Sequence, residues 1–150
     1  MKTLIVALLL VTPAYAGPLS TYLVEPCRYL DTREEIPLPG ISGAFTNRRV
    51  YRVQETCGVA LGAGGVLMNV TVTGATVKGH LALISSEITR NEGSMIPTTS
   101  TLNFAPGQTV ANFAITQLAR IQPGEADLLV YVNVPNGQVH VIIDVVGYLR

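Results

Sequence analysis

Tryptophan is absent from the chain, and the aromatic side chains that remain are three phenylalanines and six tyrosines. A sequence so poor in flat rings lacks the broad aromatic platform on which sugar-binding and base-stacking surfaces are usually built. Charge is scarce as well: charged residues make up 13% of the chain, and ten acidic residues balance ten basic ones. No basic field is left to attract nucleic acid or an anionic membrane surface. Lysine is almost missing. Lys2 and Lys78 stand alone, and arginine supplies the other eight cations, whose forked guanidiniums suit pairing with carboxylates. Beyond residue 16 no apolar run approaches the ~20 residues that span a bilayer, so no membrane insertion is expected. No stretch holds a helical period for long, the piece at 117–120 being the sole short candidate, and a helical architecture is thereby excluded.

The chemistry-bearing residues are equally thin. Two cysteines, Cys27 and Cys57, have no C-x-x-C or histidine partner nearby, which excludes a four-ligand zinc site. His80 and His140 sit in neither an H-x-H nor a Glu-x-x-His arrangement, and with Asp31 and Asp144 they form no recognisable acid–base pair. The glycine cluster Gly62-Ala63-Gly64-Gly65 lacks the helix that a phosphate cradle uses, and no G-x-S-x-G elbow carries a nucleophile. No catalytic residue, metal or cofactor is assigned. The chain is expected not to be an enzyme.

What is present begins with a leader. Lys2, an apolar run over 4–11, Pro13 and Ala14-Tyr15-Ala16 read as a secretory signal peptide, residues 1–16, cut before Gly17. Loss of Lys2 leaves nine bases against ten acids. Export to an oxidising compartment predicts a Cys27–Cys57 disulfide, worth about 3 kcal/mol through loop closure. Residues 17–26, with Tyr22-Leu23-Val24 between Pro18 and Pro26, read as an extended N-terminal arm that either lies on its own domain or adds a strand to a neighbouring copy.

Residues 27–150 read as one domain built around 138–149, Q-V-H-V-I-I-D-V-V-G-Y-L. Val139, Val141, Ile143 and Val145 line one side of that strand; His140, Ile142, Asp144, Val146 and Tyr148 line the other. Both sides are mostly apolar, which suits a strand covered on each face, so Asp144 needs a partner. Arg33, beside Asp31, is the first candidate for a buried ion pair, and Arg28 the second. The clearest alternation runs over 66–73, with Val66, Met68, Val70 and Val72 toward the core. Residues 110–117 place Ala111, Phe113 and Ile115 on one face. Pro106-Gly107 predicts a type II turn, and Pro135-Asn136-Gly137 a hairpin into the last strand. Eight or nine short strands joined by Gly/Pro turns predict an all-β, antiparallel β-sandwich of jelly-roll or Greek-key type. Asn69-Val70-Thr71 matches the N-glycosylation pattern. Asn69, Asn103, Asn112 and Asn133 lie inside strands, where asparagine is normally poor, and are read as side chains that bond backbone.

The segments D-T-R (31–33), N-V-T-V-T (69–73), G-H-L (79–81), S-T-L-N-F-x-P-G-Q-T-V-A-N (100–112), V-Y-V-N (130–133) and V-H-V-I-I-D-V-V-G-Y (139–148) occur in one order. Together the set resembles a β-rich repeat module of secreted and cell-surface bacterial proteins, often appended to peptidoglycan or polysaccharide hydrolases. The resemblance implies a secreted, non-catalytic β-domain. Here the module is read as a single unit with its own leader and no enzyme beside it. The expectation that follows is a structural protein of the cell surface, polymerising with itself into an extracellular filament or coat through the arm. A module that binds surface polysaccharide or cell wall is the alternative, to be marked by an exposed row of tyrosines. A hydrolase is the least favoured reading.

Overall fold

The computed structural model describes residues 17–34, 43–87, 96–120, 122 and 124–150. The expected leader lies outside them, as does Asn91-Glu92-Gly93, whose residue types predict a turn. Eight strands follow in order: β1 (Thr21–Asp31), β2 (Arg48–Tyr51), β3 (Gly65–Thr73), β4 (Gly79–Ser85), β5 (Leu102–Phe104), β6 (Val110–Gln117), β7 (Leu128–Asn133) and β8 (His140–Leu149). They form two antiparallel sheets of four, a first sheet in the order β1-β8-β3-β6 and a second in the order β2-β7-β4-β5. Every pair joins an early strand to a late one around β4 and β5, as if one long hairpin had been rolled up. That wiring is the jelly roll, the all-β sandwich expected from the alternation.

The core lies between the sheets. Val66, Met68, Val70 and Val72 of β3 are closed to water, as are Val141, Ile143 and Val145 of β8 with the preceding Val139. Leu81, Leu128, Val130 and Val132 meet them from the second sheet. These side chains are mostly β-branched or leucine, which fill a pleated surface well. The other side of β8 is the outer face of the sheet, where His140, Asp144 and Val146 are only partly covered. The strand is central within its sheet, between β1 and β3, yet only one of its faces packs against a second layer.

Two turns show how local chemistry serves the rolling. Ala105 accepts from the Gln108 amide at 3.2 Å, and Gly107 between them has φ +72°, as the Pro-Gly order predicts. Pro135-Asn136-Gly137 turns tightly, with the Gly137 amide on the Val134 carbonyl at 2.9 Å and Asn136 at φ +57°. It does not make the expected hairpin. β7 belongs to the second sheet and β8 to the first, so the turn carries the chain across layers. Gln138 then exchanges bonds with Thr76, and a side chain at Gly137 would meet Val77 at 2.4 Å.

Of the two placements expected for the arm the structure shows the first: it is the first half of β1, laid on its own domain. Thr21, Tyr22 and Leu23 pair with Leu149, Tyr148 and Gly147 of the same chain, and Ser20 and Arg150 exchange backbone bonds at 2.7 and 3.0 Å. Backbone donors along β8 are satisfied in this way, and the Tyr22 ring stacks on Tyr148 at 5.0 Å. Cys27 and Cys57 form the expected disulfide, fastening the middle of β1 to the loop after β2.

Candidate functional site

The outer face of the first sheet is built by register. Opposite Asn69 in β3 stand Phe113 of β6 on one side and Asp144 of β8 on the other, and Asp144 in turn faces Arg28 of β1. One cross-strand row therefore reads Phe113, Asn69, Asp144, Arg28. The next reads Ile115, Leu67, Gly147, Leu23.

In the first row the Arg28 guanidinium holds Asp144 through Nε and reaches Asp31 through Nη1 at 2.9 Å. Arg33 does not reach Asp144 as expected. It lies past the end of β1 and folds back onto Asp31, with contacts at 2.9 and 2.6 Å and its own amide at 3.1 Å. Arg28 wins because the β1–β8 register sets it directly opposite Asp144 on the same face. Nor is the Asp144 pair buried. Its side chain is 27% exposed and Arg28 49%; only Asp31, at 3%, is closed off. The Arg33 hydrogen bonds hold the Asp31 carboxyl down to about 2, and the bond to Asp144 raises Arg28 further.

The second row is apolar at both ends. Leu23 is 81% exposed at one edge of the sheet and Ile115 61% at the other, with Phe113 54% exposed beside it. The face that gathers Ala111, Phe113 and Ile115 thus points to solvent, while Ala114 and Thr116 point inward. β6 pairs with β3 at every residue from Val110 to Gln117, without a bulge, and carries no charge and no proline. Such a regular, apolar edge is a template for another strand. The second sheet's edges, β2 and β5, are guarded by their shortness, at four and three residues. β1, the other edge of the first sheet, is eleven residues long and is interrupted at Pro26 and by two register shifts beyond its first, regularly paired stretch Thr21–Leu23.

The other singled-out residues do not converge. His140 Nδ1 lies 3.2 Å from the Thr32 hydroxyl and 3.1 Å from its carbonyl, closing the corner where β1 ends. His80 is in the other sheet, its ring 6.0 Å from Tyr131. Among the described residues no group of three His, Cys, Asp or Glu is arranged to hold a metal, and no helix is long and apolar enough to cross a membrane. Gly62 donates its amide to Gln54 and Gly65 opens β3, so the glycine cluster is a loop entering a strand. Asn69 is half-buried in the middle of the sheet's outer face. Asn112 donates to the Thr101 carbonyl at 2.7 Å, and Asn103 to the Ser100 hydroxyl at 3.2 Å. Tyr29 and Tyr51 are core residues at 3% and 2% exposure and Tyr131 is buried in the other sheet, so among the described residues the open tyrosine surface is the Tyr22–Tyr148 stack and not a row.

One buried cluster has no counterpart in the sequence reading. Asp127, closed to water, accepts the amides of Val53 and Gln54, both at 2.8 Å, while the Gln54 side chain bridges the Ala119 carbonyl and the Gly62 amide. Burial raises the Asp127 carboxyl above its ordinary value in spite of those donors. The cluster ties the β2–β3 connection to the β6–β7 connection, and with Asp127 and Gln54 both closed to water it is a brace. The only sequence signal is an acid standing immediately before the apolar strand L-L-V-Y-V.

No protein-family model, no curated protein and no solved structure matches the chain.

Proposed function

We propose that this is a secreted structural protein whose copies join head to tail into an extracellular filament or coat, the first sheet of one copy continuing into the first sheet of the next. The observation that supports this reading is the pairing of unlike edges in one sheet: bare, regular β6 on one side, and β1 with its exposed Leu23 on the other. Strand direction alternates from β1 through β8 and β3 to β6, so β1 of a second copy placed beside β6 in the same orientation is again antiparallel. Simple repetition then brings Leu23 against Ile115, ends of the same apolar row, and Arg28 against Phe113, where a guanidinium gains from an aromatic face. The joint is heterologous and propagates without closing. It keeps the arm's residues Tyr22, Leu23 and Val24 at the junction while leaving them docked on their own β8. The secreted, cell-surface setting is the one that the family resemblance implies.

Two charged substitutions test it. Ile115→Lys blocks the β6 edge and Leu23→Lys blocks the β1 edge. In light scattering after size exclusion, wild type is expected to polymerise and each variant alone to run as a monomer. An equimolar mixture is expected to form one-to-one pairs, because each variant retains the edge that the other has lost. Wild type that stays monomeric at high concentration sinks the proposal, as does self-pairing of Leu23→Lys, which would mean a symmetric β6–β6 joint.

A further inference from the structure

The outer face of the second sheet carries a different chemistry. At the end of β4 and β7 a hollow of about 400 Å³ is lined by Lys78, Gly79, His80, Phe104, Asn133 and Pro135. A second hollow of about 310 Å³ shares Asn133 and Pro135 with it and extends past Tyr131 to Asn47 and Asn136. The two are halves of one shallow track with the Asn133–Pro135 ridge between them. His80 and Asn133 are paired residues on this face, and Arg48 is paired with Tyr131 at the next position along. Lys78 is the sole lysine of residues 17–150, and it stands here. Among the described residues no acid lines either hollow. In a chain of balanced charge this surface is therefore locally cationic, and its other polar groups are the amides of Asn47, Asn133 and Asn136, the hydroxyls of Thr46 and Tyr131, and the His80 ring.

We infer that this track binds an acidic polysaccharide. Lys78 meets a carboxylate, and the amides of Asn133, Asn47 and Asn136 meet ring hydroxyls, which both donate and accept as amides do. The His80 ring and Pro135 give the sugar's C–H face an apolar seat. Two hollows sharing one wall suit successive units of a chain better than one isolated sugar. Nucleic acid fits poorly: its dense phosphates need a longer cationic stripe, and Tyr131, at 9% exposure, offers no open ring for a base to stack on. The site is on the sheet opposite to the one that carries the assembly joint, so occupancy and assembly are independent.

Affinity electrophoresis through gels containing alginate, neutral dextran or single-stranded oligo-dT tests this, with wild type, Lys78→Gln and Asn133→Asp run side by side. Both substituted side chains are at least partly open to solvent, and unchanged circular dichroism and melting temperature confirm that each variant folds. Alginate alone is expected to retard wild type, with affinity falling roughly tenfold in either variant, the loss of about one charge-assisted hydrogen bond. The inference is overturned if alginate does not retard wild type or the variants bind as tightly. Equal retardation by dextran or by oligo-dT also overturns it, since the track would then read neither acid nor sugar.

Discussion

Asp31 is almost closed to water, while the two guanidiniums that hold it are each about half exposed. A carboxylate in that position is stabilised by donors whose own charge costs little to keep, because water still solvates them. Its folded pKa of about 2 lies below the ordinary 3.8, so the stabilisation is fully present above pH 4 and is lost as pH falls toward 2. Screening of the exposed arginines limits the effect to on the order of 1–2 kcal/mol. Asp127 pulls the other way: its raised pKa means that the folded form takes up a proton more readily, so its contribution improves on acidification. Comparing wild type with Asp31→Asn isolates the first term. Urea unfolding at pH 6 is expected to show the variant less stable by about 1–2 kcal/mol, with the gap closing by pH 2. A gap that stays constant with pH would mean that the Asp31 charge is not what holds this corner.

At the level of strands, the sequence was most legible where the answer depends only on neighbours along the chain. Alternation placed the inner faces of β3 and β8 correctly, and Pro106-Gly107 named its turn. Choices that depend on partners far away were not legible. Pro135-Asn136-Gly137 specifies a reversal but not the layer to which the next strand goes, and the parity of β6 separates Phe113 and Ile115 from Ala114 without saying which set meets the other sheet. Arg28 and Arg33 were likewise separable only once the β1–β8 register, with its bulges, was fixed. Gly147 shows what that register demands. A side chain there would lie 2.6 Å from the Tyr22 carbonyl, so glycine is what lets the first half of β1 close on β8. Gly147→Val is expected to cost about 1–3 kcal/mol and to lift Tyr22 and Leu23 off the sheet, leaving the disulfide and the strand beyond it in place. Hydrogen exchange at those two amides reads the release, and light scattering reads its consequence. Assembly should fall if the docked β1 edge is the joint; a rise would transfer the role to a liberated arm.

For the whole molecule, the fold as a roll of nested hairpins leaves one sheet with unlike ends and the other with two short, guarded ones. Growth through the first sheet alone confines assembly to one direction, and the second sheet's cationic track then repeats along the outside at the same interval. The geometry of that repeat follows from sheet physics. Adjacent strands are about 4.8 Å apart, so a copy contributing four strands advances the filament by about 19 Å. Neighbouring strands also rotate by roughly 20–25°, which accumulates to roughly 80–100° for each copy and brings the filament round in about four copies. Electron microscopy of assembled wild type is expected to show a thin helical filament with that rise and rotation. A closed ring, a flat lattice, or a rise near the length of the strands, about 34 Å for the ten residues of β8, would place the joint on some other surface and remove the continuous sheet from the explanation.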